Sequence, residues 1–435
     1  MEKFFYYLLL ISAILGYSLS LPFFSDIYLF HIIFAILLFL FFVGLLLSGK
    51  IKIEIKNIKN YLLFFLIWFS WILLSFFWVE DLFLASKFTL IYFLMFLFAI
   101  FLIIYNKDKE TFKKTLKVLF FISLFALLIG TIEAFTPLRL PVSPYSSVAR
   151  YDLRVGKYLE TVPTSFFYNP NNYATFLSFF LPFTLFGINF ANGKKKKIIF
   201  LLISILIGIN IIMSGSNLNI IALIFILFVY FWLSWLRKKS FKSILKYALI
   251  ILLALSVFSF ILKTNAFLSS RFNQTTGYIN KATSRQFSSR GGDSFSTRFT
   301  IIKKIIYPPS ALDFFRGFGI GNSREYLRKQ EIPNDITDPH GWWLEILGDF
   351  GFFFFLLYLF FFISILIKLW KIIKKPKEKF SLFLSNSCFL ALFGFIISSM
   401  SPSTIAYFIP QWILISIAII TINLFSKRHE NSLSS

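Results

Sequence analysis

Cysteine is nearly absent. The single one, Cys388, sits inside an apolar run, which excludes a disulfide framework and a thiolate metal site. Histidine is scarce too, with three in 435 residues. His31 lies in an apolar span and reads as a satisfied polar group, and His429 lies in a polar tail. His340 alone stands beside the Arg-rich stretch, with two carboxylates just behind it. The polar loops hold no cluster with metal-ligand spacing, so a reaction without metal or other cofactor is expected. Acidic residues are few, 20 against 44 Lys and Arg, for a formal net charge of +24. In a chain this apolar that charge implies lysines facing anionic membrane lipid, and no nucleic acid is expected as a partner. No internal repeat is evident. The first apolar run has no small-residue cleavage site and is followed at once by another, so no cleavable leader is expected.

What is abundant is hydrocarbon. The chain is 57% hydrophobic and contains 63 Phe. A soluble core cannot absorb that surface, and runs of about 18 or more apolar residues indicate transmembrane helices. The expected fold is an all-α integral membrane protein of about twelve spans: 4–21, 28–48, 61–79, 88–105, 117–134, 171–191, 198–213, 218–236, 247–262, 342–367, 381–400 and 406–425. Every second connection is basic, from "KIKIEIKNIK" (50–59) through "GKKKK" (193–197) to "KIIKKPKEK" (371–379). The positive-inside tendency places these connections and both termini in the cytoplasm. Two of the outward connections are long, 135–170 and 263–341, and long loops usually carry function or are disordered. The organisation is therefore five spans (1–134), a first outer loop (135–170), spans six to nine (171–262), a large outer loop (263–341) and the last three spans with a cytoplasmic tail (342–435).

The two basic residue types separate. Ten of twelve arginines fall in the long outer loops: Arg139, Arg150, Arg154, Arg271, Arg285, Arg290, Arg298, Arg316, Arg324 and Arg328. Arginine offers a planar fork that grips phosphate or carboxylate and is not deprotonated. The set points to an outward site for a phosphorylated or acidic ligand; a solvated basic loop on anionic lipid or wall polymer is the plainer alternative. Inside the spans ionisable groups are few: Glu133 near an outer end, and Glu345 and Asp349 near the start of the tenth span. Ion-coupled transporters usually carry charged relays at mid-membrane depth, which argues against a pump.

The stretch "DPHGWWLEILGDFG" (338–351) reads as a helix start, with Asp338 as N-cap, Pro339 at N1 and His340 at N2. The positive end of that helix would disfavour an imidazolium and leave a neutral base at the membrane surface. The alternative is that His340 only caps its helix. Glu345 and Asp349, four apart, share a helix face and could bind a sugar, pair with the loop arginines, or simply be interfacial. "RGFGIGN" (316–322) could turn backbone N–H groups toward phosphate, but lacks the strand–loop–helix context of a nucleotide loop. In "YNPNNYATF" (168–176), Asn171 either caps the sixth span or contacts sugar hydroxyls.

Three of these pieces, in order, resemble the O-antigen ligase and polymerase family of bacterial membrane glycosyltransferases, which includes proteins of teichuronic-acid-type polymer biosynthesis. They are "FFYNPNNYATFLSFFLPF" (166–183), "STRFTIIKKII" leading into "FRGFGIGN" (296–322), and "DPHGWWLEILGDFG". The resemblance covers roughly spans five to twelve. It implies metal-independent, inverting transfer of a glycan from an undecaprenyl-pyrophosphate-linked oligosaccharide to a glycan or lipid-core acceptor hydroxyl. The reaction would lie on the outer face of the cytoplasmic membrane, beside other proteins of a polysaccharide assembly complex. Arg298 matches the arginine that handles pyrophosphate in the family, and His340 the histidine that activates the acceptor. Arg316, Arg324, Arg154, Arg150, Asn171 and Glu345 are the further substrate-binding candidates. The sequence departs from the family at Gly341, where Asn or Ser is usual, at Phe354, where a glycine is common, and at Ser216-Asn217, where Ser-Arg is frequent. Either Arg150 or Arg154 replaces that last charge, or the donor grip differs. A transporter or flippase for lipid-linked glycan and a non-catalytic envelope scaffold are the other readings. The first predicts polar groups through the bundle, and the second leaves the sided arginines without a purpose.

Overall fold

A computed structural model of the chain describes residues 2–21, 24–48, 58–136, 138–140, 162–238, 294–330, 332, 338–404 and 406–426. Eleven of the twelve expected spans are helices: α1 (Glu2–Leu15), α2 (Leu29–Ser48), α3 (Lys59–Ser75), α4 (Leu82–Tyr105), α5 (Lys109–Phe135), α6 (Pro170–Phe190), α7 (Lys194–Met213), α8 (Asn217–Lys238), and then, after the second long loop, α12 (Trp342–Lys374), α13 (Lys379–Ser398) and α14 (Ile409–Phe425). The expected ninth span, 247–262, lies outside the described residues. Among the described residues, the second long loop holds three short helices: α9 (Ser294–Ile306), α10 (Ala311–Arg316) and α11 (Ser323–Arg328). Seven of the described helices are long and apolar enough to cross a membrane, and three shorter ones are strongly apolar. The chain is an all-α integral membrane protein. Among the described residues the one departure is a small hairpin between α1 and α2, Ser20–Leu21 against Phe24–Tyr28. There the Tyr28 N–H donates to His31 Nδ1 at 3.0 Å, so His31 is a satisfied polar group, as expected.

Local chemistry sets the helix starts. Asp81 caps α4 by accepting from the Leu84 N–H, and Asp108 caps α5 by accepting from Glu110 and Thr111. Glu378 and Ser381 form a reciprocal capping box at the start of α13. The caps of α5 and α13 lie at the same end of the bundle, where Lys109 pairs with Glu378. The buried Tyr6–Asn106–Thr115 cluster lies there too, holding α1 to the α4–α5 connection.

Helix α6 packs on α7 and α13, α13 also on α8 and α12, and α14 on α4. Nearly every side chain of α14 is buried, which makes it a central helix. Aromatic rings fill the space between α3, α4, α12 and α14. Trp68 sits at their centre, 5.5 Å from Tyr92, 5.9 Å from Trp342 and 6.1 Å from Trp412. Phe354, at a position where the resembling family often has glycine, packs there too, 5.6 Å from Trp68.

Helix α12 is broken. Gly351 has φ 78° and ψ 175°, and the helix resumes beyond it. At 1.5 Å per residue, residues 352–374 rise about 35 Å, enough to cross a hydrocarbon layer of about 30 Å alone. The residues before the break, 342–350, form a separate short helix, bonded back to the main span where Trp342 Nε1 donates to the Tyr358 hydroxyl at 2.7 Å. Gly317 lies against the break: a Cβ there would stand 2.5 Å from Asp349 O and from Gly351 N. Only glycine lets two backbones approach so closely.

Candidate active site

The second long loop builds a small core of its own on α12. Ile301 and Ile305 of α9 are buried with Tyr326, Leu327, Ile332 and Leu344. Burying that face fixes the roll of α9 and sets where Arg298, one turn before Ile301, can reach. Its guanidinium is half-buried and donates to the main-chain carbonyls of Met400 (3.5 Å) and Ser401 (3.3 Å). Both are long contacts to neutral acceptors. Burial pulls its pKa below the ordinary arginine value.

His340 is placed differently from the sequence expectation. The helix begins at Trp342, with Gly341 as its N-cap at φ 139°, so Asp338 is not the cap and His340 is not in the first turn. His340 itself takes a left-handed backbone, φ 49°, and its N–H donates to Ser403 O at 3.1 Å. The imidazole is neutral, for another reason than the helix dipole. Burial first, then the charge of Arg298, pushes its pKa down to about 4, with Asp338 opposing. Ring Nδ1 is buried without a hydrogen-bond partner among the described residues.

Both residues dock on one connection, "SMSPST" (399–404) between α13 and α14. Ser399 O accepts from the Trp342 N–H, Met400 O and Ser401 O accept from Arg298, and Ser403 O accepts from the His340 N–H. Thr404 Oγ1 donates to Glu345 at 2.6 Å. The Ser401 hydroxyl meets that of Ser216 at 2.6 Å, and Asn219 Nδ2 donates to Ser216 Oγ at 2.9 Å. The short turn that has Ser216-Asn217 in place of Ser-Arg is thus in contact with the segment that holds Arg298. Sequence reading gave this connection no role. Its signal was a Ser-Pro-Ser cluster between two spans, which resembles any short turn.

The other candidate residues among those described are engaged within the protein. Arg324 is 8% exposed and Glu345 fully buried. Arg324 bonds Asp338 at 2.8 Å and Glu345 at 3.0 Å, with its guanidinium 4.2 Å from the Phe88 ring centroid. Burial would lower its pKa, but the carboxylates of Glu345 and Asp338 outweigh burial and raise it. Arg316 pairs with Asp313 at 3.3 Å and lies over the Trp78 ring. Arg328 pairs with Glu325, and Arg139 with Glu133. Asn171 is not the cap of α6; Asn169 is, two residues earlier, and the Asn171 carbonyl accepts from Asn219 at 3.4 Å. Arg150 and Arg154 lie outside the described residues.

The glycine-rich turn does not offer its N–H groups to a ligand. Phe318 and Gly319 donate to Gly348 O and Asp349 O, and Ile320 to Ser75 Oγ. Gly321 and Ser323 donate to the Asp349 carboxylate at 3.0 and 3.1 Å, with the Ser323 hydroxyl at 2.5 Å. The nest is an anion site whose anion is the protein's own Asp349.

A multi-pass helical membrane protein with a histidine and a carbonyl-bound arginine at one end of its bundle defines the class. The family model described as O-antigen ligase matches residues 201–359, a stretch that contains Arg298, the glycine-rich turn and His340. The chain is also 25% identical over 383 residues to "Teichuronic acid biosynthesis protein TuaE" of Bacillus subtilis (strain 168), covering 86% of this chain and 74% of that protein. Both matches bear out the resemblance to the O-antigen ligase and polymerase family.

Proposed function

We propose that this protein is a membrane glycosyltransferase of surface-polysaccharide synthesis, a ligase or polymerase. It takes a glycan from undecaprenyl pyrophosphate and joins it to an acceptor hydroxyl on the outer face of the cytoplasmic membrane. The carrying observation is the sorting of the arginines. Among the described residues, Arg298 is the one outer-loop arginine with no carboxylate partner; Arg139, Arg316, Arg324 and Arg328 each have one. Arg298 also lies within electrostatic reach of a neutral histidine. A cation held only by carbonyls keeps its charge for an anionic ligand, and a neutral imidazole beside it accepts a proton.

In this reading the acceptor oxygen attacks the anomeric carbon and its proton passes to His340 Nε2. The bond from that carbon to pyrophosphate breaks with inversion, and the electron pair leaves on the phosphate oxygen. Arg298 stabilises the charge that develops there. The lipid-linked glycan and the growing or finished polysaccharide are the partners.

The test is a glycan profile of a deletion strain complemented with wild type, His340→Ala or Arg298→Ala at matched expression. Each variant should lose about a hundredfold or more in transfer rate. Single repeats on the acceptor without long chains mark a polymerase, and long chains stranded on the carrier outside mark a ligase. Full activity in both variants would sink the mechanism. Lipid-linked units retained on the cytoplasmic side would make the protein a flippase instead.

A further inference from the structure

His340 sits inside a closed ring of contacts, and the part of that ring farthest from Arg298 has no role in the chemistry above. Starting from His340, the chain runs back two residues to Asp338, whose carboxylate accepts from Arg324 Nε at 2.8 Å. Arg324 NH2 donates to Glu345 at 3.0 Å. Glu345 accepts from Thr404 at 2.6 Å, and Ser403, one residue before Thr404, accepts from the His340 N–H. One guanidinium therefore pins residues 338 and 345, the two sides of the stretch that carries His340.

That stretch needs holding. His340 at φ 49° and Gly341 at φ 139° are two successive residues at positive φ, where a non-glycine residue is disfavoured. A strained conformation persists only when its surroundings over-determine it. The ring supplies that constraint. It also joins the second long loop, through Arg324 on α11, to α12 and to the 399–404 connection.

We infer that Asp338 and Arg324 are positioning residues for His340, acting through its backbone and touching neither donor nor acceptor. The inference rests on the reading of His340 as the acceptor-activating base. It assigns the Arg324–Asp338–Glu345 cluster to alignment and not to substrate binding. The planar fork is required, because it must bond Asp338 through Nε and Glu345 through a terminal nitrogen at the same time.

The experiment is a double-variant cycle on the purified full chain in detergent or nanodiscs, with lipid-linked glycan as donor. Asp338→Asn is the main variant, because the Asp338 side chain is 37% exposed and its change leaves the fold intact more readily than a change at buried Arg324. It should lower kcat about 10-fold to 100-fold, the scale expected for a displaced reactive group, with donor KM unchanged. Combined with His340→Ala it should cost nothing further, since the residue it positions is gone. Arg324→Lys, which keeps the charge and loses the fork, should show the same non-additivity. Multiplicative losses in the double variants, or a raised donor KM in Asp338→Asn, would overturn the inference, as would wild-type kcat in Asp338→Asn while His340→Ala is inactive. An active His340→Ala would instead sink the reading on which it rests.

Discussion

Arg298 and Arg324 belong to the same loop, Arg298 reaching the 399–404 connection and Arg324 the 338–345 stretch, and their surroundings are opposite. Arg324 is buried between two carboxylates and under a Phe ring. Arg298 is half-buried and touches two carbonyl oxygens at 3.3 Å or more. A carboxylate neutralises a guanidinium and spends its directional capacity inside the protein. A carbonyl orients it and leaves its charge. Residue type alone therefore does not mark a ligand-binding arginine; the identity of its partners does.

The largest effect that would break this comparison is on stability. Arg324→Ala leaves Glu345 buried without its cation, and breaking a buried pair from one side costs about 3–5 kcal/mol. Unfolding of the purified protein, followed by tryptophan fluorescence during denaturation in detergent, should show that loss. Arg298→Ala removes two long contacts to neutral acceptors and should cost no more than about 1 kcal/mol. If both variants melt together, or Arg298→Ala melts first, the distinction between a structural and a functional arginine fails.

Activity should separate Arg298 from an arginine whose pair is only exposed. Among variants that remain folded, Arg298→Ala should lose about a hundredfold in transfer rate, equivalent to about 2.7 kcal/mol of transition-state stabilisation. Arg328→Ala, which frees the exposed side of an i,i+3 pair, should stay near wild type in both rate and stability. A loss at Arg328 as large as that at Arg298 would mean the loop acts by bulk charge.

How much of this was legible in the sequence follows from the range of each interaction. The eleven spans within the described residues were, because about twenty apolar residues in a row have one physical outcome. Asn169 as the α6 cap was missed by two residues, since three asparagines within four positions offer the same side-chain chemistry. The N-terminal boundary of α12 was missed for a different reason. "DPHG" satisfies every local rule for a helix start, but the Ser403 and Ser399 carbonyls from a distant connection take the N–H groups of His340 and Trp342 and hold the chain in a left-handed turn. The same long range hid the glycine-rich turn's true anion. Asp349 is 28 residues from Gly321, and nothing local says that its carboxylate occupies the nest. Arg298 and His340 were singled out through sidedness and family resemblance; the 399–404 segment that bears both has no charged residue to attract notice.

A smaller effect sharpens the role of that segment. The Ser216–Ser401 contact at 2.6 Å ties it to the turn between α7 and α8. Ser216→Ala should cost about 1 kcal/mol of stability, the usual net worth of such a bond. A rate loss beyond what Ser401→Ala also produces would give Ser216 a separate part in donor binding, in keeping with its place beside Asn217.

The smallest and most discriminating effect concerns protonation. His340 feels burial, the repulsion of Arg298 and more weakly Arg324, and the attraction of Asp338, for a pKa of about 4. As a base it works only when unprotonated, so activity should fall as pH drops through that value and be flat above it until another group titrates. Arg298→Gln removes a repulsion, so the imidazole pKa should rise toward, but not reach, the ordinary value near 6.5, because burial remains. Asp338→Asn removes an attraction and should move it the other way. Inorganic pyrophosphate, bound at Arg298, should act like the neutralising substitution and raise the pKa. Donor binding would then make the base stronger at the moment it is needed. Carbon-13 spectra of the protein labelled at histidine, with the His340 signal assigned by its loss in His340→Ala, would give each pKa without relying on turnover. A His340 pKa that ignores both Arg298→Gln and pyrophosphate would mean that burial alone sets it, and the arginine and histidine would then be neighbours without being coupled.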